Sequence, residues 1–350
     1  MKYRLLDWLC CPSCGHDKLE IDVLREHRVP TFNGHVHPDH TEDLGLDLAH
    51  KEGTEILDGS LTCESCRRSY AISDGIPRML LEGEGAAAPT SAHAWTTFDQ
   101  AEPVWEQNFL DYIQPVDFES FLGQVVLDAG CGFGRHAYFA ARYGAEVIAI
   151  DSAPEAVAAA RRNTQNLQQV HVIQGNVLNP PVRDGSIDLA YCFGVLHHMD
   201  TPQDAFQAIG GKVRTGGRLC VWTHGPRQGA SAAASRALRG VAGQMDPHQL
   251  YSLSRVIASG LRIFSHTPYK LLGPVPGLGA VVRHLPVHDH HKWPYPVVVA
   301  DIYDRLQSDV KHTMTGEALE RWFLDEGYAA VEVSRRVGNN ESFRGTGLKR

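Results

Sequence analysis

From residue 124 onward, short apolar runs alternate with longer stretches whose apolar residues recur at helical spacing. QVVLDAG, AEVIAID, VHVIQGN and SIDLAYCFG are nearly continuous in apolar residues, as strands buried on both faces must be. Between and after them lie RHAYFAARYG, APEAVAAARRNTQNL and QDAFQAIGGK, with a period near 3.6. A fifth strand follows a Gly-Gly turn in KVRTGGRLCVWTH. This alternation predicts parallel βαβ units, and so an α/β fold with helices on both faces of a Rossmann-like sheet. Ser152 is placed as N-cap of the second helix, with Pro154 in its first turn and Glu155 completing a capping box.

The alternation fails on both sides of this core. Residues 1–81 hold short β-type runs and clustered cysteines, and EGEGAAAPTS (82–91) has the Gly/Ala/Pro content of a linker. Domains are therefore expected at 1–81 and 92–350. Residues 224–315 show no βα alternation and predict a helical lid inserted into the second domain. The helix TGEALERWFLDEGY closes at Gly327, and AAVEVSRRV and ESFRGTGLK predict an antiparallel pair turning at Asn339-Asn340.

With 350 residues and 43% hydrophobic content, the chain suits two domains with a real core. A formal charge of −8 provides no global basic field to draw it onto nucleic acid or an anionic membrane. Apolar runs of about 18 residues and an N-terminal h-region are both missing, so the sequence predicts no membrane span, no signal peptide and a cytoplasmic address. There are 8 cysteines, five of them before residue 67, which points to metal ligation and not to a secreted disulfide framework.

Cys11-Pro-Ser-Cys14 and Cys63-Glu-Ser-Cys66 are two C-x-x-C knuckles, the supply of four thiolates for a tetrahedral structural zinc site. Cys10 is an adjacent fifth thiol, but only Cys11 has the two-residue spacing to Cys14. RVPTFNGHVHPDHTEDLG, between the knuckles, reads as a surface loop. A closed four-sulfur site has no position for substrate, which assigns this zinc to folding.

In Val125 to Gly134, VVLDAGCGFG, a buried strand runs into a glycine-rich turn. Dinucleotide sites read G-x-G-x-x-G and set a pyrophosphate on a helix N-terminus. Here Gly130, Gly132 and Gly134 read G-x-G-x-G, and Asp128 precedes them where it would repel a pyrophosphate but attract an ammonium. That combination favours S-adenosylmethionine over NAD. Asp151, which ends the next strand, stands where Rossmann-like folds hold a ribose.

LDAGCGFGRH, VIAID, QGNVL, FGVLHHM and TGGRL resemble successive motifs of class I S-adenosylmethionine-dependent methyltransferases, over about residues 90–223. LxCPxCG and LxCxxCRRSYAISDGIPRML resemble the zinc-ribbon family related to the activator subunit of tRNA and protein methyltransferases. The tail WFLDEGY…FRGTG is similar to bacterial methyltransferases fused to such ribbons. The resemblance implies that Gly130, Gly132 and Gly134 line the methionine and ribose, with Asp128 at the methionine end and Asp151 with Ser152 at the ribose. It further implies Asn176 and Val177 beside the adenine and Phe193 against the cofactor. Asn176 stands where the family usually has Asp, although an amide still accepts a hydrogen bond.

His197 and His198 follow the fourth strand and His224 the fifth, where a side chain can face a transferred methyl group. An imidazole suits proton removal near neutral pH. His288-Asp-His-His291 has metal-ligand composition in an irregular loop. Tyr138, Tyr303, Asp304, Trp95 and Phe98 are candidate pocket walls, and Cys131, Cys192 and Cys220 read as core. These features lead to a methyltransferase acting on a small molecule, with the large lid closing its pocket. A tRNA or rRNA acceptor is the alternative, drawn from the locally basic KVRTGGR and C-terminal segments. A catalytically inactive binding module is a second alternative, disfavoured by the intact glycines and carboxylates.

Overall fold

The computed structural model of the protein describes residues 1–28, 53–84, 97, 104–226, 238–285, 288–307, 311–336 and 339–350. The loop expected between the knuckles, most of the 82–91 linker, Trp95 and Phe98 lie outside the described residues.

Two sheets organise the described residues. The N-terminal sheet is antiparallel, in the order β1 (Leu19–Arg28), β2 (Thr54–Cys63), β3 (Ser69–Ser73), β4 (Ile76–Pro77). The second sheet contains β5 (Val125–Ala129), β6 (Glu146–Asp151), β7 (Val170–Gln174), β8 (Ile187–Phe193), β9 (Val213–His224), β10 (Tyr328–Arg336) and β11 (Asn339–Lys349). Its spatial order is β10-β11-β9-β8-β5-β6-β7. β5 to β9 run parallel, and β11 lies antiparallel between β9 and β10. Val126, Leu127 and Val147 to Ile150 are fully buried, which is why these strands lack polar alternation.

From β5 the chain builds outward through β6 and β7, then returns to lay β8 on the opposite side of β5. Such a reversal leaves a crevice beyond the carboxyl ends of the two diverging strands, where open parallel sheets hold ligands. Helices α1 (Val104–Ile113), α2 (Arg135–Arg142), α3 (Pro154–Thr164) and α4 (Pro202–Lys212) flank the core. Helix α1 falls in a stretch for which the sequence pattern predicted no element. Its Trp105, Phe109 and Tyr112 nevertheless recur on one buried face.

Three local expectations are corrected. The capping box of Ser152 and Glu155 does not form: Ala153 occupies the cap position of α3 and makes no side-chain bond. Its N–H instead donates to Asp151 Oδ1 at 3.0 Å, so the carboxylate ending β6 satisfies the N–H of the cap residue itself. Gly216-Gly217 does not join two elements but forms a bulge inside β9, which begins at Val213 directly after α4: its pairing jumps from Val213 to Arg218 while β8 advances from Ile187 to Leu189, with Gly216 at φ +77°. Asn339 already pairs with Arg336, so the final hairpin reverses before the two asparagines.

Between β9 and the last helix, α9 (Gly316–Asp325), the described residues are mainly helical. It forms α5 (Pro247–Leu261), a π turn (Arg262–His266), α6 (Thr267–Leu272), α7 (Leu278–Val282) and α8 (Tyr295–Gln307). Helix α5 opens on a capping box between Asp246 and Gln249. Leu250 and Ala258 of α5 pack with Val298, Val299, Ile302 and Tyr303 of α8, giving this block its own core.

The N-terminal sheet is welded to the β7 side of the large one. Lys2 Nζ donates to the carbonyls of Leu167 and Val170 at 3.0 and 2.7 Å, and Arg183 donates to those of Leu6, Leu9 and Asp17. Met79 N–H reaches the Gln174 carbonyl at 2.7 Å. Leu5, Leu9, Ile56 and Leu61 share one buried cluster with Leu127, Ile148 and Ile173.

Candidate active site and metal centre

The two cysteine knuckles are built alike. In each, the first cysteine's N–H donates five residues ahead, Cys11 to His16 at 2.8 Å and Cys63 to Arg68 at 2.9 Å. Its carbonyl accepts from four residues ahead, from Gly15 at 2.8 Å and Arg67 at 3.0 Å. Gly15 and Arg67 both adopt positive φ, +74° and +57°, which folds each pair of sulfurs to one side. Cys11 Sγ lies 3.6 Å from Cys66 Sγ, Cys14 Sγ lies 3.6 Å from Cys63 Sγ, and all four sulfurs fall within 4.8 Å of one another. A tetrahedral zinc with Zn–S near 2.3 Å needs sulfur edges of about 3.8 Å, so the quartet fits that ion. Burial would raise the Cys11 thiol, but the Tyr70 hydroxyl at 3.1 Å and nearby backbone N–H groups bring it down to about 7. Cys10 is outside the quartet, its thiol pushed up to about 11 by burial. Among the described residues no second group of this kind forms: His290 stacks on Trp293 with centroids 3.6 Å apart and faces Asp301 at 3.6 Å.

At the switch point, Gly130, Gly132 and Gly134 all take positive φ, +82°, +53° and +78°. A Cβ on Gly130 would meet Val195 Cγ2 at 2.3 Å, so the turn closes against the loop after β8 only as glycine. Asp151 sits behind it, accepting from Gly132 N–H at 2.9 Å and Ala153 N–H at 3.0 Å. Burial raises its carboxyl, while the N–H groups of Ala153, Gly132 and Ser152 hold it down. Each carboxylate oxygen retains a lone pair for a further donor. Ser152 is half-buried, and its carbonyl accepts from Gln174 Nε2 at 2.9 Å.

Asp128, 1% exposed, is the other acidic group of the turn. Burial pushes its carboxyl up to about 7, against the pull of the Tyr191 hydroxyl, and its Oδ2 completes no hydrogen bond. An uncompensated buried oxygen of this kind suits a cationic ligand group.

Asn176 is already engaged at both ends: Oδ1 accepts from Leu178 N–H at 3.0 Å, and Nδ2 donates to Glu84 Oε1 at 2.8 Å. Asn179 Nδ2 also reaches Glu84, at 3.3 Å. Glu84 belongs to the stretch read as linker, and nothing in its sequence surroundings marks it. Val177 is buried beside this cluster.

The three candidate histidines come together. The His197 ring lies 4.2 Å from that of His198 and 4.5 Å from that of His224, between the ends of β8 and β9. His197 is 1% exposed, with Nδ1 3.5 Å from Thr223 Oγ1, and burial holds its imidazole neutral. Its carbonyl accepts from Lys311 and His312 N–H at 3.0 and 3.1 Å, pinning the chain that leaves the lid. His198 is half-buried, and its charge acts on Asp304 of α8. Asp304 is exposed at its surface, while the protein packed around it raises its carboxyl and the charges of His198 and Arg135 draw it back. Of the other proposed walls, Tyr303 is fully buried in the lid core and Tyr138 packs edge-on to Phe139.

Aromatic rings pack together near the carboxyl ends of β8 and β9. Tyr112 of α1 stacks on Trp222 at 4.8 Å and lies 5.3 Å from Phe193, whose ring also stacks on Tyr191 at 4.9 Å. Trp222 Nε1, His136 Nε2 and Asn108 Oδ1 are buried there without a hydrogen-bond partner among the described residues. Trp222 carried a readable signal, since it shares a strand face with His224 two positions on. Arg135, Asn108 and Tyr112 carried none.

Residues 127–221 match the family described as methyltransferase domain, and residues 2–75 match the Trm112p-like protein family. A 37.1 kDa protein in transposon TN4556 of Streptomyces fradiae is 41% identical over 100 residues, 28% of this chain and 29% of that protein. The mitochondrial ubiquinone biosynthesis O-methyltransferase of Schizosaccharomyces pombe is 32% identical over 124 residues, 33% of this chain and 43% of that protein. The chain thus spans less than half the length of these curated relatives. Among solved structures, magnesium protoporphyrin IX methyltransferase from Synechocystis PCC 6803 aligns over 73% of this chain and 93% of its own, at 15% identity and TM-score 0.42. The chain therefore joins a Trm112p-like domain, matched over residues 2–75, to a methyltransferase domain matched over residues 127–221.

Proposed function

We propose that the protein transfers a methyl group from S-adenosylmethionine to oxygen or nitrogen of a small-molecule acceptor. The observation that carries this reading is the switch-point turn, where three positive-φ glycines held by Asp151 close against Val195, in the loop after β8 that leads into His197 and His198. The O-methyltransferases of ubiquinone biosynthesis among its relatives support the small-molecule class.

S-adenosylmethionine, when bound, supplies an electrophilic methyl group on a cationic sulfonium. The protein supplies position and proton handling. The glycines let the backbone approach the cofactor, Asp128 Oδ2 meets the ammonium of its methionine end, and Asp151 with Ser152 takes the ribose. Phe193 presents its ring from the carboxyl end of β8. His198 removes the acceptor's proton, and Asp304 orients its imidazole from the lid. His224 lines the acceptor pocket, and His197 is the packed support beneath both. Asn176 and Val177 flank the adenine, but the Asn176 carbonyl is taken by Leu178. A further acceptor at that end is the Glu84 carboxylate, held by two amides and by Leu81 N–H.

Calorimetry with S-adenosylhomocysteine tests the assignment. Asp151→Ala should weaken binding by roughly 1–3 kcal/mol, the cost of leaving ribose hydroxyls unpaired. Wild-type affinity in that variant refutes the ribose role. Uptake of labelled methyl by RNA, and not by a metabolite extract, replaces the acceptor class.

Glu84 gives a separate prediction. Glu84→Ala should lower affinity about tenfold, the size of one lost charge-assisted hydrogen bond. Asn176→Asp alone should also weaken binding, by setting two carboxylates together, and should restore it when combined with Glu84→Ala. Simple additivity in that double-mutant cycle removes Glu84 from the site.

A further inference from the structure

The lid turns an unexpected face to solvent. Its segment 238–285 carries five basic residues, Arg239, Arg255, Arg262, Lys270 and Arg283, against one acidic residue, Asp246, in a chain whose net charge is −8. The same segment exposes large apolar side chains: Val256, Ile263, Phe264, Leu271 and Val281 are each between 62% and 74% exposed. Single apolar residues on a surface are ordinary, whereas a run of them across three helices marks an interaction face. Arg255 and Arg262 stand two helical turns apart, as do Val256 and Ile263, so a basic row lies beside an apolar row. Arg255, Arg262, Lys270 and Arg283 are exposed and make no ion pair among the described residues. The lid core does not use this face, since Leu250 and Ala258 on the other side of α5 supply it.

We propose that this outer face of the lid docks on a bilayer surface bearing anionic lipids. Ile263, Phe264 and Leu271 enter the headgroup and acyl boundary, and the Arg and Lys side chains meet headgroup phosphates. Aliphatic side chains between the cations fit hydrocarbon, where a single-stranded nucleic acid requires rings for base stacking. A second copy of the chain in the same place opposes like charges. Docking needs no spanning helix, and no helix of the described residues is long and apolar enough to cross a membrane. The inference stands on the lid surface alone and is independent of the methyl-transfer reading.

The test is co-sedimentation of the full-length protein with vesicles of roughly seven parts phosphatidylcholine to three parts phosphatidylglycerol, against phosphatidylcholine alone. The protein should pellet with the anionic vesicles, and added salt should release it. Ile263→Ser with Phe264→Ser, and separately Arg255→Glu with Arg262→Glu, should each lower vesicle affinity about tenfold or more. Affinity for S-adenosylhomocysteine should stay unchanged in both, which separates lost docking from lost folding. Leu122→Ser, 70% exposed but outside the lid, should leave binding intact. The proposal is overturned by absence of binding to either vesicle, or by binding that neither double variant affects. Preference for a single-stranded RNA homopolymer over the anionic vesicles, or a solution dimer broken by the apolar pair, overturns it equally.

Discussion

Turnover of the His198→Ala protein is expected to fall by about a hundredfold or more with cofactor affinity nearly unchanged, since general-base catalysis typically contributes about 10² to 10⁴. The structure separates the two adjacent histidines that the sequence could only pair. His197 is buried, neutral and bonded towards Thr223, so it has no open path to an acceptor. Its replacement should lower the melting temperature first, with kcat and KM following the loss of fold. His198 is only half-buried, and its charge, with that of Arg135, acts on Asp304. Asp304→Asn should therefore act in the same direction as His198→Ala but more weakly, and the double variant should lose little beyond His198→Ala. That non-additivity, with the pH dependence of kcat altered in Asp304→Asn, identifies a positioning residue and not a structural one. Wild-type turnover in His198→Ala transfers the base assignment to His224.

The second large effect concerns the metal. The purified protein should contain about one zinc, and Cys14→Ser or Cys66→Ser should abolish stable folding of the ribbon. Structural zinc contributes apparent binding energies of about 10–16 kcal/mol in zinc-finger peptides, and that energy is folding energy. The ribbon shares one buried cluster with β5, β6 and β7, so the damage should spread to the cofactor domain as a lower melting temperature. Cys10→Ser should have little effect, because its sulfur lies outside the quartet. Elemental analysis finding no zinc in protein purified under reducing conditions would falsify the assignment.

Strands β5 to β9, helices α2 to α4 and the two knuckles were readable because each is governed by local physics. Burial on both faces of a parallel sheet forces continuous apolar runs, and a two-residue spacing is what one turn needs to present two sulfurs to one ion. The glycines of the cofactor turn were legible for a similar reason, since their backbone conformation is itself the constraint. Helix α1 was missed although its apolar face is regular. The Ser152 capping box was wrong because Asp151, tied into the end of β6, takes the Ser152 N–H that the Glu155 side chain would accept.

By itself, the sequence determined the class of fold, the four cysteines that cluster and the glycine-rich turn with its acidic residues, all of which rest on spacings of a few residues. Only the tertiary structure decided which distant groups act on one another: Asp304 with His198 through charge, Glu84 with Asn176, and Tyr112 with Trp222. These partners sit on separate elements and are joined by the strand order and the packing of the lid. A side chain's local periodicity records whether it is buried, and it carries no mark of the residue that will face it once the sheet has closed.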